Sequence, residues 1–350
     1  MSTQEKPELL SSGAGLGAAV AIETGAELGE LANIRARGYW EQVWRRFRRD
    51  KAALAGGVFI IVLVFAAYPG AWIASKLLGH GPNEIFSVNA LNPTSLLPVG
   101  PWTNVRTLDG TGTQLFPLGA DGQLGRDEFL RLLYGARVSL EVAVGATILG
   151  MIIGVLMGAI AGYFGGWTDT VVSRVTEIVM AFPVLLFIIA LSSTVGDRLN
   201  NVTLGFLQPG VVTLTVVIGV FGWYYPARII RAVVLSLREK EFVEAARMVG
   251  ASDARIIRSH LLPHLVAPII VYSTLIVAQN ILLEAGLSFL SLGIPLGTPS
   301  WGNLLSTAPD YYLAQPWLMI WPGLAVLVTT LAFNLLGDGL RDAFDPRATH

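Results

Sequence analysis

The stretch "HLLPH" places His260 and His264 four residues apart, the spacing at which two imidazoles on one helix face can share a metal ion. No glutamate follows His260, Pro263 intervenes, and the chain has only four histidines. The pair therefore reads as solvated or headgroup-facing side chains, and no metal site is expected. The lack of cysteine removes disulfides, thiolate ligands and cysteine nucleophiles. No G-x-x-x-x-G-K-[ST] run is present to cradle a nucleotide phosphate. No Ser/His, His/Glu or paired-Asp constellation emerges either, so no catalytic residue is expected. What remains is a set of polar groups inside apolar runs: Asn280 beside Gln279, Glu284, Glu177 and Glu141. At membrane depth such groups face a bundle interior or an aqueous path. Asn280 and Glu284 are read as lining a path, and Glu177 as pairing with Arg174 three residues earlier. Glu141 falls at the outer end of its span. Asp338, Arg341 and Asp342 read as fixing the exit of the last span.

The elements that carry these groups follow from composition. The chain of 350 residues is 53% hydrophobic and 14% charged, against roughly 25% charged in soluble domains. So little charge points to a bilayer as the place where apolar surface is hidden, and the net charge of −1 predicts no bulk attraction to nucleic acid. Six segments reach the roughly 20 apolar residues that span hydrocarbon: 52–74, 138–164, 171–195, 210–230, 265–290 and 316–336. The expected fold is an all-α, polytopic membrane protein with six transmembrane helices. Eighteen of the 24 lysines and arginines fall on the side that holds both termini, which predicts cytoplasmic N- and C-termini.

The rest sorts around this frame. Residues 1–34 begin acidic and polar, unlike a cleaved signal, and read as a disordered cytoplasmic tail. "GYWEQVWRRFRRDK" (38–51) interleaves Tyr39, Trp40, Val43, Trp44 and Phe47 with four arginines, an amphipathic helix for the inner leaflet. About 60 residues rich in Gly, Pro, Asn and Thr separate the first two spans, and either a compact cap or loose loops would suit them. Gly150, Gly154, Gly158 and Gly162 recur at four-residue spacing, one face for tight helix contact within the subunit. Pro183, Pro226, Pro268 and Pro322 are candidate kinks. Trp301 would sit at the outer interface as an anchor, with gating or contact to an external protein as the alternative.

One polar insert breaks the pattern: "EFVEAARMVGASDARIIRSHLLPHL" (241–265), between the fourth and fifth spans. Phe242, Ala245, Ala246 and Val249 recur at i, i+3, i+4 and i+7, giving a helix a narrow apolar edge. Glu244 and Arg247 are close enough to pair. Gly250 can end the helix in a left-handed cap, and Ser252 can cap a second helix running to Pro263. The expectation is a rigid helix-turn-helix facing the cytosol, with small residues on its tip; an amphipathic helix resting on headgroups is the plainer alternative.

Here the sequence resembles a known family. Glu244-Ala245-Ala246, then Gly250, Leu262 and Pro263, match the "EAA" signature of the membrane subunits of bacterial ABC importers, departing from it at His260, where the signature has an aliphatic residue. "FPLGADGQLGRDEFLRLLYGARVSL" (116–140) is similar to "HPLGTDxLGRDxxSRLLYGARxSL" of the C-type permease of dipeptide and oligopeptide importers, with one extra residue within 119–123. "LSFLSLGIPLGTPSWGNLL" (287–305) resembles that permease's "LSFLGLGxxxPxPSWGxML", and "NLLGDGLRDAFDP" (334–346) its "NLLGDGLRDALDP". The resemblance covers about 36–347.

It implies an ABC type-1 transmembrane domain that moves peptides by alternating access across the bacterial inner membrane. The implied partners are a second, homologous permease, two cytoplasmic ATPase subunits and an extracytoplasmic substrate-binding protein. It implies that ATP and Mg sit on the ATPases, with no cofactor on this chain, which would be no enzyme itself. Carried over residue by residue, Phe242, Glu244, Ala245, Ala246, Arg247, Val249, Gly250, Leu262 and Pro263 form the ATPase-docking element within a coupling loop at 238–264. The expected organisation is a disordered tail (1–34), which lies outside the resemblance, an interfacial helix with the first span (35–75), an external region (76–134), the permease core (135–340) and a C-terminal tail (341–350). Related permeases carry glutathione or nickel complexes, which stay open as cargo; an ion-coupled carrier working alone is the competing class.

Overall fold

The computed structural model describes residues 39–345 except 108, 111 and, between 182 and 209, all but 183, 186 and 190. The expected N-terminal tail and the second half of the third span lie outside the described residues. The chain divides into two units, 1–46 and 47–350. The described part of the first is most of α1 (Tyr39–Phe47), an amphipathic helix with Tyr39, Trp40 and Trp44 exposed.

The second unit contains α2 (Lys51–Leu78), α3 (Glu128–Phe164), α4 (Gly166–Ala181), α5 (Val211–Gly222), α6 (Tyr224–Leu237), α7 (Glu241–Met248), α8 (Asp253–Phe289), α9 (Trp301–Thr307) and α10 (Trp317–Phe344). Among the described residues α2, α3, α8 and α10 are long and apolar enough to cross a membrane. The pair α5 and α6, bent by 40° at its break, brings the number to five if it is taken as one broken span. The fold is all-α and polytopic. The apolar core runs where α3, α8 and α10 meet: Leu140, Ala143, Ile281, Ala285, Trp301 and Phe333 are buried there.

Caps and prolines explain where the observed elements depart from the apolar runs. Asp127 accepts the Leu130 N–H at 3.1 Å and caps α3, so this helix starts ten residues before the expected span. Asp50 accepts the N–H groups of Ala52 and Ala53 and caps α2. The fourth span breaks at Gly222–Trp223 rather than at Pro226 itself. Pro226 has no N–H for the Gly222 carbonyl, and its ring crowds that carbonyl. Pro69, which the sequence reading passed over, opens a π-turn at Ala66–Gly70 in α2.

The glycine stripe of α3 faces α6. An added Cβ on Gly154 would stand 2.7 Å from Pro226 Cγ, on Gly158 2.5 Å from the Ala227 carbonyl oxygen, and on Gly162 2.8 Å from Val234 Cβ. The stripe is thus an internal seam, as expected.

The region between the first two spans is a compact cap. Strands β1 (Thr103–Arg106) and β2 (Thr113–Phe116) pair antiparallel with Thr103 opposite Phe116, and β3 (Ala120–Asp121) pairs with β4 (Arg126–Asp127). Phe86, Ala90, Val105, Phe116 and Ala120 form its core. Gly119, at φ +89°, lets the Val99 carbonyl approach to 2.6 Å from where a Cβ would be, a position closed to other residues.

Candidate functional site

The polar insert folds as an elbow. Glu241 and Glu244 occupy the first turn of α7 and Arg247 its last, each favourable toward the helix dipole. Gly250 takes φ +84°, with Gly250 N–H to the Arg247 carbonyl at 2.9 Å and Ala251 N–H to the Ala246 carbonyl at 3.0 Å. That is a complete Schellman stop, and the left-handed cap is where the sequence put it. The buried side of the elbow is Val243, Ile256, Leu261 and Leu265, packed on Ala159 and Tyr163 of α3 and on Ile230 and Val234 of α6. The elbow is therefore bolted to two spans through apolar contact.

Four details correct the sequence reading. The buried contact is Val243, helped by half-buried Ala246, while Phe242, Ala245 and Val249 are exposed. The i, i+3, i+4, i+7 edge thus faces outward. Arg247 lies over the Tyr163 ring, 5.2 Å from its centroid, instead of pairing with Glu244. Ser252 stands at the start of the second helix but makes no capping bond; beside it the Tyr163 hydroxyl donates to Asp253 Oδ1 at 2.6 Å. Pro263 does not close the second helix. A π-turn at Ile256–Leu261 precedes it, and the proline sits in the first turn of Leu262–Phe289, where its missing N–H costs nothing. The second arm of the elbow is thus the fifth span itself.

The outward edge collects the residues singled out except Ala246, which is half-buried against the inner side. Val249 is 88% exposed and Gly250, Glu244, Ala245 and Arg247 are also exposed, as are Phe242, Leu262 and Pro263. Met248, 83% exposed at the tip, was missed; its signal was there, between Arg247 and Val249. His264 lies against Phe242, with ring centroids 5.1 Å apart.

Further along α8 lies a buried polar seam. Asn280 donates to Thr147 Oγ1 at 3.0 Å, and Glu284 accepts from Ser288 at 2.8 Å with the Ser139 and Ser300 hydroxyls beside it. Glu284 and all three serines are fully buried, so in this conformation Asn280 and Glu284 join α8 to α3 and α9 rather than open on a path. Trp301 is no interfacial anchor. It is 1% exposed and its Nε1–H donates to the Leu132 carbonyl at 3.1 Å, because α9 packs back between α3 and α10. Asn303, also missed, donates its side-chain amide toward the carbonyls of Ile294, Pro295 and Thr298, each at 3.0 Å, and so holds the loop before α9. Glu177 pairs with Arg174 at 2.7 Å, as expected.

At the opposite end from the elbow, charges tie the cap to α3. Asp121 takes two hydrogen bonds from Arg126 (3.1 and 2.9 Å) and an ion pair from Arg131 at 2.6 Å. Burial drives the Asp121 carboxyl above its usual range despite both arginines. His80 has Asp127 Oδ2 at 2.9 Å on Nε2 and the Leu78 carbonyl at 3.0 Å on Nδ1. A carboxylate and a carbonyl both accept, so the doubly protonated ring, with a donor on each nitrogen, is the form this site favours. Burial opposes that charge, but the Asp127 carboxylate, the Leu78 carbonyl and Glu84 outweigh it and raise the pKa above 6.5.

Residues 154–350 match the family described as binding-protein-dependent transport system inner membrane component. The chain belongs to that family. Residues 38–93 further match the N-terminal TM domain of oligopeptide transport permease C, so this is an ABC importer permease of the peptide and oligopeptide branch and an inner-membrane protein. Glutathione transport system permease protein GsiD of Escherichia coli O157:H7 is 36% identical over 308 residues, 88% of this chain and 90% of its own. The GsiD protein of Shigella flexneri serotype 5b is 37% identical over the same lengths. Two inward-facing structures of the MetNI methionine ABC transporter align at TM-scores of 0.47 and 0.48 with 17% and 18% identity, covering 61% of this chain and 96% of theirs.

Proposed function

We propose that this permease forms part of the path by which an ATP-driven importer moves small peptides, glutathione among them, inward across the cytoplasmic membrane. The observation that carries the reading is the elbow. Its docking edge is exposed while its opposite side is locked into α3 and α6, and its second arm continues as α8. A stiff element of this kind passes a rigid-body movement between subunits. One of two ATPase subunits, which carry ATP and Mg themselves, seats on Phe242, Glu244, Ala245, Ala246, Arg247, Val249 and Gly250, with Leu262 and Pro263 behind them. A second permease completes the path, and an external binding protein delivers cargo to the cap side. Both termini are cytoplasmic. The external region is 76–134 and the permease core 135–340. Displacement of the elbow reaches Asn280 and Glu284 along the same helix, which brings them to the path as α8 swings.

Glutathione is itself a tripeptide, so the GsiD relatives and the oligopeptide match support one cargo class, a short peptide with free carboxylates. The test is uptake by the complex purified in mild detergent and reconstituted in sealed vesicles. Co-purification of an ATPase, with uptake that needs ATP and survives an uncoupler, is expected. Uptake that survives ATP depletion and fails with the uncoupler would establish an ion-coupled carrier instead.

A further inference from the structure

We propose that the crevice between α4 and α6 is a holding site for a carboxylate of the cargo, gripped by Arg228; this rests on the import reading above. The crevice has a volume of about 610 Å³ and is lined by Ser173, Thr176, Glu177, Met180, Arg228 and Arg231 among others. Small-molecule sites run from about 300 to 1,000 Å³, mostly apolar with a few fixed polar groups.

The charges on its walls are already matched, with one exception. Glu177 is held by Arg174. Arg231 is joined through Nε and Nη2 to the two carboxylate oxygens of Asp169. The Thr176 hydroxyl donates to the Val172 carbonyl at 2.8 Å. Arg228 is exposed, and among the described residues no carboxylate pairs with it. Among the described residues the crevice thus presents one guanidinium without a carboxylate, with Met180, Ala181 and Ala227 as its apolar wall. A guanidinium offers a planar fork of donors that fits a carboxylate with two parallel hydrogen bonds. Ionisable groups within a span that face a bundle interior or an aqueous crevice mark ion and substrate routes. The ligand class that fits is a monoanionic head on a small, partly apolar body: the terminal carboxylate of a short peptide. A lipid phosphate shares the anionic head, but its acyl chains would have to cross a lining that includes Ser173, Glu177 and Arg231.

The test uses the whole complex in phosphatidylcholine nanodiscs without nucleotide, where saturation-transfer NMR reads weak binding directly and bypasses the external binding protein. The probes are glutathione and trialanine, each as free acid and with its carboxylates blocked as ester or amide. A charge-assisted pair is strong enough that the free acids should bind at least about tenfold better than the blocked forms. Arg228→Gln should bring the free acids down to the level of the blocked forms, and Arg228→Lys should keep part of the preference. Lys76→Gln, exposed near the end of α2 and outside the crevice lining, should leave the preference in place. Equal binding of free and blocked probes to the wild type, no binding of either, or an unchanged preference in Arg228→Gln would overturn the proposal. So would loss of probe binding when phosphatidylglycerol is added, which would assign the crevice to lipid headgroups. If Arg228→Gln imports with unchanged KM while ATP-driven uptake by the wild type is intact, the site falls and the import reading stands; no ATP-driven uptake in the wild type removes the import reading itself.

Discussion

The α3–α6 seam sets how the elbow is held, and its glycines give a graded test. An alanine at Gly158 would place its Cβ 2.5 Å from the Ala227 carbonyl oxygen, with the Arg231 nitrogen and Ile230 Cβ each at 3.0 Å. Ordinary contact is about 3.5 Å or more, so α3 and α6 must part by roughly an ångström or twist past each other. Overpacking of this kind costs about 1–3 kcal/mol, while glycine-to-alanine in a helix returns about 1 kcal/mol through propensity. The net expectation for Gly158→Ala is a loss of up to about 2 kcal/mol, toward the upper end because the clash is with backbone. Gly154→Ala, at 2.7 Å from Pro226 Cγ and 2.9 Å from the Trp223 carbonyl, belongs in the same class. Gly150→Ala, whose nearest neighbour is the Gly219 carbonyl at 3.2 Å, should be close to neutral. Gly57→Ala, with only Leu336 Cδ1 at 3.7 Å, should be neutral or slightly stabilising. Thermal unfolding of the purified complex, read by light scattering, ranks the four. A Gly158→Ala variant as stable as Gly57→Ala would refute the close approach of α3 and α6.

Other outcomes follow from the cap and the elbow. Because the His80 pKa is raised by folding, its stabilising contribution is complete below about pH 6.5 and fades as pH rises through the higher folded value. Hydrogen exchange over 113–127, corrected for intrinsic rate, should therefore be faster at pH 9 than at pH 6 in the wild type, and this difference should vanish in His80→Gln; an equal difference in both contradicts the imidazolium. Tyr163→Phe removes the bond to Asp253 and should loosen the elbow by about 1 kcal/mol, seen as faster proteolysis near 241–253 with unchanged membrane insertion. Glu244→Lys and Gly250→Pro should insert normally yet uncouple ATP hydrolysis from uptake, since proline is fixed near φ −65° and position 250 needs +84°. Normal transport by both would remove the docking role.

Much of this was legible in the residues, and the misses have physical causes. Apolar runs located four spans and the bent α5–α6 pair among the described residues, because a bilayer demands length and little else. Gly250 announced its own left-handed turn, and the spacing of Gly150, Gly154, Gly158 and Gly162 announced a close helix contact. Partners distant in sequence were invisible: nothing near Arg247 points to Tyr163, and nothing near Trp301 points to the Leu132 carbonyl. The i, i+3, i+4 edge of α7 identified an apolar face but could not say whether it met the protein or a partner, and Val243 turned out to be the buried residue. Pro263 read as a stop because a proline usually breaks a helix from within, whereas a π-turn just upstream left it in a first turn. The hairpins of the cap were missed because strands of two to four residues carry too little alternation to detect.

The central claim is that the outward edge of the elbow is where a separate ATPase grips this permease. The chain has no cysteine, so a single cysteine at Val249 or Met248 is a unique handle within it. Cross-linking the assembled complex in membrane vesicles through that cysteine should join this chain to the ATPase subunit, while a cysteine at Ile152, exposed on the middle of α3, should not. Efficient cross-linking at 248 or 249, altered by ATP, is the predicted result; no ATPase adduct from either position, in complexes that still hydrolyse ATP and import cargo, would contradict the account.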